Sequence, residues 1–358
     1  MPPIRLLEIG GTHYEMGYHH GLAYADSIRE FTAERLRLAG DPLWTGQSRS
    51  QADILALGDA CLAAHQDYAP DLMEELRGTA DATGLSQTEL VIMNGFTDFA
   101  DVIARPDHPS PHDADNCTAF IVPNGAGGQG LIGQTWDMHY SATPYVVLLR
   151  GRPAGKPAFL VFTITGCVGM IGMNDAGIAV GINDIMANDG RPGVTWPFVV
   201  RRMLEQSTLD DALACLLDAP LAGAHNYVLA DSAGRGYNVE AMPSHREVTA
   251  VNGNPFVHTN HCLHAATLPF ARPRLDYAQE NSESRLERAH ELLNGGAVTV
   301  DDLMALTRDR GALNGICTVV NAPWEVETCG AAIMRPATRE FWAVWGLPTE
   351  NAYERFVV

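Results

Sequence analysis

Basic residues are scarce in this chain: 24 lysines and arginines stand against 43 aspartates and glutamates, a formal charge of −19 over 358 residues. A surface with that balance repels phosphate backbones and anionic headgroups, so nucleic acid and membrane are not expected partners. Long hydrophobic runs are missing too. The most apolar stretch, Ala158 to Met173, is broken by Thr163, Thr165, Gly166, Gly169 and Gly172 and reads as buried strands, not as a bilayer span. Met1 to Gly11 holds one arginine and no apolar core of the secretory kind, and the expectation is a cytoplasmic protein. The seven cysteines (Cys61, Cys117, Cys167, Cys215, Cys262, Cys317, Cys329) are odd in number and lack C-x-x-C spacing, which suits free thiols in a reducing compartment. A phosphate-binding loop, a G-x-S-x-G elbow and a kinase signature are absent, and the GGQG after Ala126 reads as a hairpin turn. No cofactor is expected.

What remains is a chain with 46% hydrophobic residues, enough for a large core. Helical stripes run over Ala25 to Ala39, ending before Gly40-Asp41-Pro42, over Ala52 to Ala64, and around Asp71 to Thr83, stopping at Gly84. Ser86 and Glu89 form a capping box ahead of Leu90. The first hundred residues are thus mostly helical. From Arg105 to Asn116 the segment RPDHPSPHDADN reads as an exposed loop. CTAFIVP and LIGQTWDMHY then read as a hairpin, with further short strands at YVVLLR, AFLVFTI, VGMIGM and GIAVGIN. A helical interval from Trp196 to about Leu217 separates these from NYVLAD, GYNVEA, REVTAV and PFVHTN. A helix after Ser282 and a shorter one near Asp301 to Leu306 precede the last strands, ICTVVN, GAAIM and FWAVWG. The order indicates a layered protein with two packed sheets.

Cys117 opens a strand directly after a polar loop. A loop can be severed without loss of ladder bonds, and a cut before Cys117 would make it a new N-terminus. Its α-amino group, with a reference pKa of roughly 7.7 to 8.0, then becomes a base for its own thiol, whose reference pKa is about 8.5. From the residue alone a buried structural cysteine is the commoner case.

The motifs around it decide the reading. DNCTAF, followed by GQTWD with Asp137 twenty residues after Cys117, resembles the GCT and GQNWD pair of the isopenicillin-N acyltransferase family of autoproteolytic N-terminal-nucleophile (Ntn) hydrolases. GGTHYEMGYHHG (10–21), GMNDAGIAV (172–180) and VHTNHCL (257–263) resemble family segments in the same order, and Ser282, Arg285 and Arg288 echo a family helix. The resemblance implies an α+β fold, the αββα sandwich of two largely antiparallel sheets between helical layers. It implies cleavage between Asn116 and Cys117 into a helical chain, 1–116, and a catalytic chain, 117–358, packed as one domain, so that each fragment is the other's partner. The implied activity is hydrolysis of a small N-acyl amide through an acyl-enzyme. Transfer from an acyl-coenzyme A donor is the alternative, and a non-catalytic binding protein on the same fold is the reading of another class.

By the same resemblance Cys117 is the nucleophile, Asp137 orients the new α-amino group, and Asn260 helps form the oxyanion hole. Asn183 and Trp136 are expected to meet the substrate, although Asn183 before Asp184 is also good turn chemistry. Two departures stand out. Asn116 occupies the place of a glycine, whose left-handed backbone freedom is thereby reduced. Cys329, a further substrate-binding position, occupies the place of an arginine that faces a substrate carboxylate, and a thiol cannot replace a guanidinium there. A carboxylate-free, cationic amine portion is the expectation. His258, His261 and His264 lack a zinc spacing, and no metal is expected. His19 and His20 read as structural.

Overall fold

A computed structural model describes residues 3–104, 116–313, 315–320 and 325–358. The loop expected from Arg105 therefore lies outside the described residues, apart from Asn116, which is buried and not exposed. The chain starts with strand β1 (Leu6–Gly11) and continues through helices α1 (His13–Ala23), α2 (Ala25–Ala39), α3 (Pro42–Thr45), α4 (Gln51–Tyr68), α5 (Pro70–Thr83), α6 (Gln87–Asn94) and α7 (Phe96–Ile103). Their ends follow local chemistry: Thr12 with Glu15, Ser50 with Asp53 and Ser86 with Glu89 close capping boxes, and Gly84 stops α5 in the left-handed region at φ 74°.

Strands β2 (Ala119–Val122) and β3 (Leu131–His139) form the expected hairpin, with Ala119 opposite Gln134 and Val122 opposite Leu131. Next come β4 (Val146–Pro153), β5 (Phe159–Ile164), β6 (Ile171–Asn174), β7 (Ala179–Asp184), α8 (Trp196–Met203), α9 (Leu209–Asp218), β8 (His225–Ala230), β9 (Gly236–Ala241), β10 (Arg246–Val251) and β11 (Phe256–His258). The chain closes with α10 (Asp276–Leu293), α11 (Val300–Leu306), β12 (Val326–Arg335), β13 (Glu340–Trp345) and β14 (Glu354–Val357).

Among the described residues these strands make two sheets, an eight-stranded one ordered β1-β4-β5-β6-β7-β8-β9-β10 and a six-stranded one ordered β11-β2-β3-β12-β13-β14. Every pairing is antiparallel except that of β1 with β4. The period of two sorts the faces. Ala119 and Ile121 belong to the main core, whereas Phe120 and Val122 join a second core with Ala289, Leu293, Leu303 and Leu306 of α10 and α11. On the opposite face, Arg201 of α8 lies over the Phe159 ring of β5 at 3.8 Å. The layers run helices, sheet, sheet, helices, the αββα order expected. Gln134 stitches the sheets together by donating from Nε2 to the Ile182 carbonyl at 2.6 Å and accepting from the Ile182 N–H.

Three readings of the sequence need correction. Residues 316–320, read as a strand, form none, because the Ile316 and Cys317 N–H groups both turn back to the Asp309 carbonyl. The interval from Trp196 is two helices with a break at 204–208. β1, α1 and β14 are additions, so the N-terminal region also supplies a strand to a sheet.

Candidate active site

Cys117 sits one residue before the point where the hairpin closes. The Thr135 N–H donates to the Thr118 carbonyl at 3.1 Å and the Thr118 N–H to Thr135 Oγ1 at 3.1 Å, which fixes the stem just past the cysteine. Cys117 is 3% exposed, and its Sγ accepts the Asp137 N–H at 3.4 Å and donates toward the Asp137 carbonyl at 3.8 Å. The hairpin therefore brings Cys117 and Asp137 together across twenty residues of chain.

The Asp137 carboxyl group is buried among the hydroxyls of Thr135, Thr318 and Thr328. Burial pushes its pKa up to about 7, against the lowering pull of the Thr318 hydroxyl, the Arg285 charge and the Thr328 and Thr135 hydroxyls around it. The thiol of Cys117 thus meets the backbone of Asp137, and the carboxyl group of that residue is buried among hydroxyls.

Sequence reasoning placed Arg285 in a helix and gave it no role in the site. It is fully buried on α10, and its Nη1 donates to the Asn116 carbonyl at 2.8 Å, the Cys117 carbonyl at 2.7 Å and Thr118 Oγ1 at 3.1 Å. Its Nη2 donates to Asn260 Oδ1 at 3.0 Å. One guanidinium thus holds both the carbonyl of the Asn116–Cys117 peptide and the side chain of Asn260. The signal was the Ser282-x-x-Arg285 spacing, which puts both residues on one helix face: Ser282 Oγ accepts the Asn260 N–H at 2.9 Å.

Asn260 is clamped at both ends of its amide. Oδ1 accepts from Arg285, and Nδ2 donates to the Asp184 carbonyl at 3.0 Å, which uses one of its two N–H donors. Asn116 accepts at Oδ1 from Asn281 Nδ2 at 2.6 Å. Its backbone is not among the non-glycine residues with positive φ, which among the described residues are Met186, Glu325 and Arg339. The glycine expected there is thus not required for backbone conformation.

The remaining candidates fall on two sides. Trp136 and Met138, the neighbours of Asp137, wall a narrow apolar cavity together with Phe31, Phe96, Met170 and Trp196. Cys329 is the extra residue of a bulge in β12, between the pairs Thr328–Asp137 and Gly330–Trp136, and its thiol is buried 3.8 Å from the Met138 carbonyl. Burial pushes that thiol far above its ordinary value. Asn183 stands elsewhere, in a closed network: it donates to His258 Nδ1 at 3.0 Å and to the Thr259 carbonyl and accepts from Asn226 Nδ2 at 3.2 Å. His258 passes the chain on to Glu240 Oε1 at 3.1 Å. Asn183 thus braces the segment that carries Asn260, with protein partners where a substrate contact was expected.

The three histidines of that segment diverge, with His261 on Ser282 Oγ at 2.7 Å and His264 on Thr249 Oγ1 at 2.7 Å. Among the described residues no cluster of three or more His, Cys, Asp or Glu is placed to hold a metal, and no helix is long and apolar enough to cross a membrane. His20 is buried and accepts the Gly166 N–H at 3.1 Å, a structural use. A wider groove lined by Arg29, Leu36, Arg37 and Arg49 lies among the N-terminal helices and includes none of the site residues.

The frame of the site is a two-sheet α+β sandwich with a buried thiol just ahead of strand β2. Residues 124–350 match the family model described as acyl-coenzyme A:6-aminopenicillanic acid acyl-transferase, and the chain belongs to that family. It is similar to the acyl-coenzyme A:6-aminopenicillanic-acid-acyltransferase 40 kDa form of Emericella nidulans, at 28% identity over 306 residues covering 84% of this chain and 80% of that one. It is also similar to the beta-alanyl-dopamine/carcinine hydrolase of Drosophila melanogaster, at 27% identity over 264 residues covering 67% and 65%. Among solved structures, penicillin V acylase from Agrobacterium tumefaciens aligns with a TM-score of 0.47 and 14% identity over 68% of this chain and 86% of that one.

Proposed function

We propose that the protein is a self-cleaving cysteine Ntn hydrolase that hydrolyses a small N-acyl amide through an acyl-enzyme on Cys117. The observation that carries the reading is the grip of Arg285 on the Asn116 carbonyl while the Cys117 thiol lies against Asp137. In maturation Sγ attacks the Asn116 carbonyl carbon, the thiol proton goes to the departing Cys117 nitrogen, and the peptide becomes a thioester. Arg285 stabilises the negative charge that develops on the carbonyl oxygen. Water then releases the Asn116 carboxylate and leaves Cys117 with a free α-amino group and a free thiol.

Beside the new amine the buried Asp137 carboxyl group loses its proton to solvent, because an adjacent ammonium lowers its pKa, and its anion stabilises the ammonium formed when the thiol proton moves to the amine. In turnover the thiolate attacks the substrate carbonyl, and the second Asn260 N–H, held in place by Arg285 and the Asp184 carbonyl, donates to the oxyanion. The ammonium returns its proton to the leaving amine, and water hydrolyses the thioester.

The family's name favours one further reading, transfer of the acyl group from an acyl-coenzyme A donor to an amine. Parallel assays with N-acyl amines and N-acyl amino acids, with and without an acyl-coenzyme A donor, separate the two. Hydrolysis is expected without the donor and not in Cys117→Ala. Activity that appears only when thioester and acceptor amine are both supplied would replace hydrolysis by transfer.

A further inference from the structure

The apolar cavity beside Asp137 contains a charge that the chemistry above does not use. Arg35 of α2 stands in its wall at 1% exposure, surrounded by Phe31, Met93, Phe96, Trp136 and Ile164. Its guanidinium carbon lies 4.3 Å from the Phe31 ring centroid and 4.9 Å from that of Phe96, so two aromatic faces fix the group and partly offset its lost hydration. Nη2 donates to Ser141 Oγ at 3.4 Å and is 3.6 Å from Glu34 Oε2. Nε and Nη1 are buried and make no hydrogen bond.

Unmade hydrogen bonds on a buried cation are costly, and a long apolar residue would pack between those rings without that cost. Arg35 lines a space also bounded by Trp136 and Met138, the residues on either side of Asp137, whose N–H meets the Cys117 thiol at 3.4 Å. Cys329, 3.8 Å from the Met138 carbonyl, is close enough to Arg35 for each to act on the other's ionisation. A guanidinium therefore reaches the neighbourhood of Cys329 from α2, although residue 329 is itself a thiol.

In place of the carboxylate-free portion expected from Cys329, we propose that Arg35 makes this cavity a carboxylate-binding subsite, so that the substrate is an amide carrying a carboxylate on an otherwise apolar portion. The inference rests on the reading of Cys117 as an amidohydrolase nucleophile. Planar guanidinium donors suit carboxylate oxygens. The carboxylate has two sources, the amine portion, as in an N-acyl amino acid, or the acyl portion, as in a monoamide of a dicarboxylic acid.

The test compares each kind of substrate with its methyl ester in wild type, Arg35→Met and Arg35→Lys. Wild type is expected to favour the free acid over the ester in kcat/KM for one of the two sources, by about 10- to 100-fold. That ratio should fall toward one in Arg35→Met, and Arg35→Lys, which keeps charge without the planar fork, should lie between. Equal ratios in all three proteins, or a wild-type preference for both esters, overturn the proposal. Should Arg35→Met fail to fold, the difference between wild type and Arg35→Lys decides alone. Calorimetric titration of wild type and Arg35→Lys with octanoate and octanol needs no turnover: octanoate binding that weakens in the variant supports the subsite even where amide hydrolysis fails. Octanoate affinity equal in both proteins counts against the subsite whatever the chemistry.

Discussion

In the proposed mechanism Arg285 and Asp137 divide the work at Cys117 by charge. The guanidinium is held on carbonyl oxygens and on Asn260, whereas the carboxyl group is buried among hydroxyls. Replacing Arg285 by lysine leaves one ammonium to reach the Asn116 carbonyl and Asn260 Oδ1, which a point charge on a flexible stem cannot hold together. Both self-cleavage and turnover should slow, by about tenfold or more. Asn260→Ala should act mainly on turnover of cleaved enzyme, by about 100- to 1,000-fold, and near-normal acylation in that variant removes Asn260 from the oxyanion site. Asp137 also sets a pH dependence. Its folded carboxyl keeps its proton to about pH 7, while the unfolded one releases it near 3.8. The folded precursor therefore binds more protons than the unfolded chain between these values, and this group lowers stability as pH rises through that window. On a Cys117→Ala background, Asp137→Asn should gain stability from pH 4 to 7, by up to about 4 kcal/mol in denaturant titrations. Parallel stability curves for the two proteins would contradict the raised pKa. At this scale the meeting of Cys117 with Asp137 was legible in motifs, whereas Arg35 and Arg285 were not, since the targets of a buried arginine lie on other elements. A residual signal existed for Arg35: it falls on the apolar stripe Ile28, Phe31, Arg35, Leu38, where an arginine is out of pattern.

The elements were legible where one local rule sufficed and not where packing replaced it. α2, α5 and the β2–β3 hairpin announce themselves by stripe, cap and alternation. α1 does not, because its buried positions are Met16, Gly17, His20 and Gly21, a weak apolar face. Its glycines are there for α5. A Cβ on Gly17 would lie 1.7 Å from the Glu75 carbonyl oxygen, and one on Gly78 would lie 2.1 Å from that of Tyr14, so the two helices meet backbone to backbone. Gly17 and Gly21 of GGTHYEMGYHHG thus serve a helix crossing. Gly17→Ala or Gly78→Ala should force the helices apart and destabilise the protein by about 3 kcal/mol or more in urea unfolding. A loss below about 1 kcal/mol would mean that the helices separate without penalty. Residues 316–320 illustrate the opposite error: Ile316 to Val320 have strand composition, but the Asp309 carbonyl and Thr328 capture their backbone instead.

In the whole molecule the proposed cut falls between segments that share one core. β1 extends the eight-stranded sheet beside β4, and side chains of α1 to α7 belong to the same apolar cluster as Ala119, Ile121 and Trp136. The two fragments should therefore stay associated after cleavage, eluting together at native pH and separating only in denaturant; dissociation without denaturant would contradict the shared core. The central claim, that Cys117 cuts its own chain and becomes the nucleophile, is tested most directly by the intact mass of purified wild type and Cys117→Ala under denaturing conditions. Wild type should give two species, 1–116 ending in an ordinary asparagine carboxylate and 117–358, while Cys117→Ala gives one inactive chain. A fragment 1–116 lighter by one water would assign the cut to cyclisation of Asn116, and an active wild type of full length would contradict the account outright.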